Sequence, residues 1–168
     1  GDTQAWKPKD GMLWIHLERE NSVARTWLQA ESGLSEIVTE LLLEPDSRPS
    51  IYQTTEGVML NLRGVNLNPG ESPDDMVSIR MWVEENRIIT TRQLPVMAVR
   101  DVHDMIKVGT PPASTCDFVV RIADRLIDRM SPIIVGLQED LDTLDESLSG
   151  EIPDQVKQEL GRIRRQAI

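Results

Sequence analysis

The chain has 168 residues and carries 28 acidic against 18 basic side chains, which gives a formal net charge of −10 at neutral pH. That charge repels phosphate, so the composition argues against nucleic-acid binding and favours cationic partners or metal ions. The single cysteine, Cys116, excludes an internal disulfide and a zinc site made of several cysteines. Within these residues no apolar run approaches the roughly 20 residues that a membrane-spanning helix needs.

Residues 1–10 are predicted to be an N-terminal segment, followed by a domain over residues 11–112. This domain opens with a buried strand, which the apolar run at residues 12–17 predicts. Two helices come next, because Asn21 and Ser35 are good N-cap residues placed before helical spacing of apolar side chains. The apolar positions of these two helices are Val23, Trp27, Ala30 and Leu34, and then Ile37, Val38, Leu41 and Leu42.

The middle of the chain shows the alternation of apolar and polar residues that is typical of strands. Two strand pairs with short turns are predicted, at residues 50–54 with 58–66 and at residues 76–83 with 87–91. Strands joined in this way form an antiparallel meander. A further helix is predicted over residues 94–108, and Gly-Thr-Pro-Pro at residues 109–112 marks the end of the domain.

Residues 113–168 are predicted to form a long antiparallel helical hairpin. Its first arm covers residues 115–148, where apolar side chains recur at intervals of three and four, and Pro132 is expected to kink this helix rather than end it. The stripe consists of Val119, Ile122, Leu126, Met130, Ile133, Leu137, Leu141, Leu144 and Leu148. A helix of this length extends roughly 50 Å at about 1.5 Å per residue. Because a compact body of this size cannot cover it, the exposed part needs a partner, either further chain or another subunit.

The sequence contains no recognisable catalytic motif, so an enzyme has no positive support. His16 and His103 each lack a second histidine at metal-ligand spacing, and a structural or solvated role is favoured for both. Cys116 has no basic neighbour in sequence to activate its thiol, and it is interpreted as a small residue at the start of a helix.

The most unusual local feature is a concentration of acid at the tip of the predicted hairpin. Seven acidic residues and no basic residue lie between residues 139 and 154. The candidate metal ligands among them are Glu139, Asp140, Asp142, Asp145 and Glu146. Carboxylate oxygens suit hard divalent cations, which such a cluster would gather loosely. The alternative is a solvated tip, and it is favoured because these acids are spread around the helix rather than set in a chelating loop.

Five segments follow one another in the order seen in CorA-type divalent cation transporters. They are Trp14-Ile15-His16, Arg48-Pro49-Ser50-Ile51, Leu62-Arg63-Gly64-Val65-Asn66, Met76-Val77-Ser78-Ile79-Arg80-Met81-Trp82 and Ala123-Asp124-Arg125-Leu126-Ile127-Asp128-Arg129. The chain from about residue 11 onward therefore resembles this family, and the residues of these segments are most similar to its ZntB zinc-transporter branch. Each segment alone is only weak evidence for the family, and the resemblance depends on the order and spacing of all five.

The resemblance implies an α/β fold, namely an α/β/α sandwich around a central mixed sheet, followed by the long helical hairpin. It also implies a homopentamer in the bacterial inner membrane whose cytoplasmic part is a funnel. In the family a stalk helix and two membrane helices follow the hairpin. None of these lies within residues 1–168, so the hairpin is predicted to be truncated before them.

One position departs from the pattern of the magnesium-transporting relatives. In those proteins the helix before the Arg-Pro motif carries a Glu-Asp pair, whose aspartate helps to bind a regulatory metal between subunits. The matching residues here are Glu40 and Leu41. Leu41 cannot ligate a cation, which leaves Glu40 as a weaker intersubunit metal contact and agrees with the zinc branch.

The sequence therefore predicts a non-enzymatic cytoplasmic funnel domain of a zinc transporter, which contributes to assembly, cation attraction and gating. Zinc or another divalent cation would be transported or weakly bound, with no tightly bound cofactor. The partners would be other copies of the chain, divalent cations and, through residues outside these 168, the membrane, with no nucleic acid. The alternatives are a magnesium or cobalt transporter domain and a soluble helical scaffold or interaction protein.

Overall fold

The computed structural model describes residues 6–45 and 48–147 and, after them, residues 155, 158, 159, 161 and 162. A short 3-10 turn at Pro8–Asp10 precedes the first strand. The other elements of the two continuous ranges lie within three residues of their predicted bounds, except that the first long helix ends at Ala30, so that Leu34 follows this helix instead of belonging to it. In chain order they are β1 (Leu13–Glu18), α1 (Ser22–Ala30), α2 (Glu36–Leu43), β2 (Ser50–Gln53), β3 (Val58–Gly64), β4 (Val77–Val83), β5 (Arg87–Arg92), α3 (Met97–Lys107) and α4 (Thr115–Ser147).

The strands form one mixed sheet in the order β1-β5-β4-β3-β2. Strands β2 to β5 are antiparallel neighbours, which confirms the predicted meander. Strand β1 lies parallel to β5, with Leu13 opposite Arg87 and Glu18 opposite Arg92. The parallel pair is possible because two helices and the whole meander separate these strands in sequence.

Helices cover both faces of the sheet, as the predicted α/β/α sandwich requires. On one face α3 and the first turns of α4 pack on β4 and β5, and Phe118, Ile122 and Ile79 are fully buried there. On the other face α1 and α2 pack around Trp82, which is 1% exposed. Because both faces are covered, β4 buries side chains in both directions, which an alternating pattern alone does not reveal.

Only some of the apolar residues that the sequence spacing assigns to α1 and α2 are buried in the structure. Helix α1 buries Ala24 and Leu28, whereas Val23 is 76% exposed. Helix α2 buries Val38 and Leu42 and leaves Ile37 exposed. A short helix with apolar residues at adjacent positions offers two candidate faces, and only contact with the sheet selects one of them.

The C-terminal end of α2 is held by side chains from the sheet and its margins. The last carbonyl groups of a helix have no partner within the helix. Here Arg19 donates to the carbonyl of Glu44 at 2.9 Å, and Arg80 donates to that of Leu41 at 3.0 Å. The Thr91 hydroxyl donates to the carbonyl of Leu42 at 2.7 Å. Positive charge at this end also complements the helix dipole.

Helix α4 begins with a capping arrangement formed by side chains at its first turn. The backbone N–H of Asp117 donates to the Ser114 hydroxyl at 3.1 Å, and the Asp117 carboxylate accepts from the N–H of Ala113 at 2.7 Å. That backbone hydrogen bond, followed by the interaction with Arg121, lowers the pKa of Asp117. The helix then continues through Pro132 to Ser147 without ending, as expected from its apolar stripe.

The stripe of α4 has different neighbours along its length. Phe118, Ile122 and Leu126 belong to the core under the sheet, while Leu141 is 44% exposed. Residues 155, 158, 159, 161 and 162 are helical, and Arg162 lies 3.3 Å from the carboxylate of Asp140, as expected for an antiparallel second arm. The domain boundary after residue 112 stays a prediction, as do the N-terminal segment and the extent of the hairpin.

Candidate functional site

The predicted acidic tip is an exposed surface rather than an enclosed site in the part that the structure describes. Glu139, Asp140 and Asp142 all have exposed side chains on α4. Asp140 pairs with Arg162, which also binds Glu159 at 2.7 Å. Hydrogen bonding to Glu159, supported by the charge of Asp140, raises the pKa of Arg162. One of the candidate ligands is therefore engaged by the second arm.

The structure does not describe the side chains of the remaining candidates at the tip. Residues Asp145 and Glu146 are within the helical backbone of α4, but their side chains are not among those described, and Glu151 and Asp154 lie outside the described residues. Among the side chains that are described, no group of three or more His, Cys, Asp or Glu residues is arranged to hold a metal ion. The metal site at the tip stays a prediction.

Glu40 lies at a second position, on the outer side of α2 and far along the chain from the tip. It borders an open groove of about 760 Å³ between α1 and α2, together with Arg25, Glu36 and Ile37. Leu41 is half-buried beside it, so an apolar side chain occupies the place next to the glutamate. The groove can offer Glu40 and Glu36 to a neighbouring molecule, but not the adjacent carboxylate pair described for magnesium transporters.

A polar network that sequence reasoning did not identify joins β1 to β5. The Nε1 of Trp14 donates to the Thr90 hydroxyl at 2.9 Å, and Nδ1 of His16 lies 2.8 Å from the same oxygen. Thr90 lies 3.2 Å from the carbonyl of Ile15, and Nε of Arg92 donates to Nε2 of His16 at 3.2 Å. Thr90 and Arg92 come from β5, so the parallel strand pairing creates the network.

The hydrogen-bond donors in this network determine which ring nitrogen of His16 carries a proton. A guanidinium can only donate, so Nε2 of His16 accepts and Nδ1 carries the proton. The Thr90 hydroxyl then accepts from Trp14 and His16 and donates to Ile15. Burial, with smaller contributions from Arg92 and His103, lowers the pKa of His16 to about 4. His16 is therefore a neutral structural residue near pH 7, in agreement with the role favoured from the sequence.

His103 differs from His16 in its surroundings. Its side chain is exposed on α3, with Nδ1 at 3.9 Å from the Asp104 carboxylate and its ring 6.4 Å from that of Trp14. Together with Trp14, His16, Arg92 and Arg100 it borders a cavity of about 420 Å³. Neither histidine belongs to a group of metal-binding side chains in the described part of the chain.

Ion pairs connect α4 to the body of the molecule. Arg129 makes a bidentate contact with Asp101 of α3, with distances of 2.8 and 2.6 Å, and this hydrogen bonding raises the pKa of Arg129. On the outer side Arg125 pairs with Asp128, three residues further along the helix, at 3.2 Å. Arg121 pairs with Asp117, four residues earlier on the same face of the helix, at 3.0 Å.

The helices in the described part of the chain do not combine the length and the apolar content that a membrane crossing requires.

The chain is similar to known proteins over most of its length. The family model "CorA-like Mg2+ transporter protein" matches residues 9–168. The chain is 36% identical over 159 residues to the divalent cation transporter CmaX of Pseudomonas aeruginosa, covering 92% of the chain and 47% of that protein.

The chain is also 31% identical over 156 residues to the zinc transport protein ZntB of Yersinia enterocolitica, again covering 92% of the chain and 47% of the relative. It thus spans about half the length of both curated relatives. Among solved structures, the ZntB cytoplasmic domain from Vibrio parahaemolyticus superposes with a TM-score of 0.73 at 28% identity, covering 81% of the chain and 56% of that domain.

Proposed function

The chain belongs to the CorA-like Mg2+ transporter family, and from that premise we propose that it is the cytoplasmic portion of a zinc transporter at the bacterial inner membrane. The observation that carries the proposal is its likeness to the ZntB cytoplasmic domain over 81% of the chain. The relatives CmaX and ZntB are named as transporters of divalent cations and zinc, and no catalytic step is proposed.

The proposed contribution of this portion is electrostatic and structural. A net charge of −10 raises the local concentration of divalent cations near the surface, most strongly at the acidic end of α4. The sandwich would assemble into the funnel of a homopentamer and transmit its state to the gate through α4. The proposed ions are cargo or weakly held, since the described acidic side chains on α4 are exposed and spread rather than clustered.

The replacement of the magnesium-type Glu-Asp pair by Glu40 and Leu41 favours zinc over magnesium as the cargo. In the structure the Leu41 side chain is half-buried against the groove beside Glu40 and has no oxygen or nitrogen with which to hold an ion. Glu40 alone would give at most a weak intersubunit contact with a cation. Magnesium or cobalt transport is the second candidate. It is favoured by the family model "CorA-like Mg2+ transporter protein", which matches residues 9–168.

Flux measurements on the full-length protein in proteoliposomes test the transport proposal. Zinc influx that exceeds magnesium and cobalt influx is the expected result. A preference for magnesium or cobalt would support the second candidate. A protein that moves none of these ions under a range of gradients would instead support the scaffold alternative and overturn the transport proposal.

Calorimetric titration of the 168-residue chain with zinc and magnesium tests the acidic surface separately. We expect weak binding that decreases as salt is added, because screening weakens exposed charges. The double substitution Asp142→Asn with Asp145→Asn should reduce the heat, whereas Glu40→Gln, at the other candidate position, should leave it nearly unchanged. Equal binding in all three proteins would contradict a contribution from the tip.

A further inference from the structure

A cavity of about 420 Å³ lies between α3 and the edge of the sheet that β1 and β5 form. Strand β1 contributes Trp14 and His16, which are two residues apart and therefore lie on the same face of the sheet. Arg92 comes from the end of β5, and its Nε donates to Nε2 of His16 at 3.2 Å. The strand side of the cavity therefore combines aromatic surface with a guanidinium group.

The helix side of the cavity has an apolar floor and a basic rim. Val96, Val99, Arg100 and His103 have the spacing i, i+3, i+4 and i+7, which places them on one face of α3, counted from its N-cap. Val96 and Val99 are 4% and 6% exposed, whereas the side chains of Arg100 and His103 are 76% and 54% exposed. Apolar walls with a few convergent polar groups are typical of pockets for small organic ligands.

Arg92 keeps most of its hydrogen-bonding capacity at this cavity. A guanidinium has five N–H donors and no acceptor, and only the Nε of Arg92 donates to a residue that the structure describes. The carboxylate of Glu18 lies 3.9 Å from Nη2, which is too far for a hydrogen bond. Because His16 accepts from Nε, it fixes the position of the guanidinium and leaves the Nη groups for a ligand.

The helix supplies two further side chains with donors to offer. Arg100 and His103 approach the Asp104 carboxylate only to 4.0 and 3.9 Å, and the side chain of neither makes a hydrogen bond within the described part of the chain. Lys107 lies closer to the same carboxylate, at 3.5 Å. Donors from a strand and from a helix therefore border one cavity without an acceptor in the described residues.

The cavity is positively charged within an acidic chain. None of its described lining residues is acidic, while Arg92 and Arg100 carry permanent positive charge. Burial, and then repulsion from Arg92 and His103, lowers the pKa of His16, so these charges act inside the cavity. Helix α3 also begins here without a side-chain cap at Val96, and the positive end of its dipole adds to the field. Such a cavity attracts an anion although the chain carries a net charge of −10.

We propose that this cavity binds a small phosphate monoester, with the phosphate between the Arg92 guanidinium and the side chains of Arg100 and His103. Donors that come from a strand and from a helix suit the several oxygens of a tetrahedral phosphate better than the two coplanar oxygens of a carboxylate. The organic part of the ligand packs against Trp14 and Val99. The ligand has the opposite charge to the proposed cargo, and the inference does not depend on transport.

Calorimetric titration of the 168-residue chain with three probes tests both parts of the site. Phenyl phosphate has both a ring and a phosphate, inorganic phosphate lacks the ring, and phenol lacks the phosphate. Phenyl phosphate is expected to bind about tenfold more tightly than inorganic phosphate because its ring leaves water, and phenol should give no binding. Equal affinity for phenyl phosphate and either other probe, or no binding of phenyl phosphate at millimolar concentration, would overturn the proposal.

The matched variants are Arg100→Gln and Lys107→Gln. Both remove one positive charge from an exposed position of α3 close to Asp104, but of these two basic residues only Arg100 lines the cavity. Arg100→Gln should weaken phenyl phosphate binding about three- to fivefold, as expected for an exposed charge pair. Lys107→Gln should have a clearly smaller effect. Urea unfolding establishes that both variants fold, and equal weakening by the two substitutions would contradict a site at this cavity.

Tryptophan resonances locate the bound ligand. Trp14 and Trp27 lie on opposite faces of the sheet. In proton–nitrogen correlation spectra, phenyl phosphate should shift the indole N–H resonance of Trp14 and leave that of Trp27 unchanged. A shift confined to Trp27, or binding without a shift at Trp14, would place the ligand elsewhere and overturn the proposal.

Discussion

His16 and Arg92 are 76 positions apart in the chain, yet the Arg92 guanidinium donates to the imidazole of His16 across the parallel strands β1 and β5. A donor aimed at Nε2 makes protonation of that nitrogen costly, because the proton would replace an accepting lone pair and put two positive charges in contact. The pair therefore links the state of one histidine to the integrity of the strand pairing that connects β1 to the meander.

This relationship predicts a dependence of stability on pH. The pKa of His16 is lowered to about 4 in the folded protein, whereas an unfolded histidine titrates near 6.5. Between these values the unfolded chain binds more protons, so stability present above pH 6.5 is lost as the pH falls toward 4. The slope from this group is at most about 1.4 kcal/mol per pH unit.

Urea unfolding from pH 7.5 to 4.5 measures that slope. Because carboxylates also contribute, the comparison is with His16→Gln, which should show a smaller change between pH 6.5 and 4.5. The exposed residue His103 provides the control, and His103→Gln should retain most of the pH dependence of the original chain. A slope that is the same with and without His16 would contradict the link.

The contact between Arg129 and Asp101 should hold α4 against α3. Both groups are partly shielded from solvent and share two short hydrogen bonds. A double-mutant cycle with Arg129→Met and Asp101→Asn is expected to give a coupling energy of about 1 kcal/mol. The exposed pair Arg125 and Asp128 serves as the control, with an expected coupling of only a few tenths of a kcal/mol. Equal couplings for the two pairs would argue against a special role for Arg129.

Gly57 marks a close approach of the turn before β3 to β4. A Cβ atom at this position would lie 2.6 Å from the carbonyl oxygen of Val83 and 2.8 Å from the indole ring of Trp82. Gly57→Ala should therefore destabilise the fold by about 1–3 kcal/mol, the usual range for overpacking. Gly136→Ala is the opposite case, because a Cβ there meets no atom within 4 Å and alanine favours a helix by about 0.5–1 kcal/mol. Chemical denaturation of the two variants should give shifts of opposite sign.

Truncation tests how the boundary predicted after residue 112 relates to the folded core. Phe118, Ile122 and Leu126 pack with β4, β5 and α3, and truncating a single buried phenylalanine to alanine costs about 3–5 kcal/mol. A chain ending at Pro112 should therefore unfold at a much lower denaturant concentration than one ending at Ser131. Similar midpoints for the two truncated chains would show that the sandwich does not depend on α4.

Much of the fold could be predicted because the relevant signals are local. N-cap residues such as Asn21 and Ser35, the alternation within β4 and the apolar stripe of α4 each depend on neighbours within a few residues. The family resemblance supplied the sandwich and the hairpin. The family match and the structural comparison confirm the resemblance and the sandwich, while the hairpin stays a prediction. The candidate metal ligands on α4 follow from the local concentration of acid and Glu40 follows from the resemblance, and those whose side chains are described are exposed.

The sequence by itself determined the element order, the acidic character and the family, because residue type, spacing and segment order are properties of the chain. Only the tertiary structure decided which residues meet. It paired β1 with β5, which made His16 neutral, and it turned Leu28 inward while leaving Val23 outside. It also placed Phe118, Ile122 and Leu126 of α4 in the core under the sheet. These outcomes depend on contacts between distant segments, and burial acts on the assembled surface rather than on any local pattern.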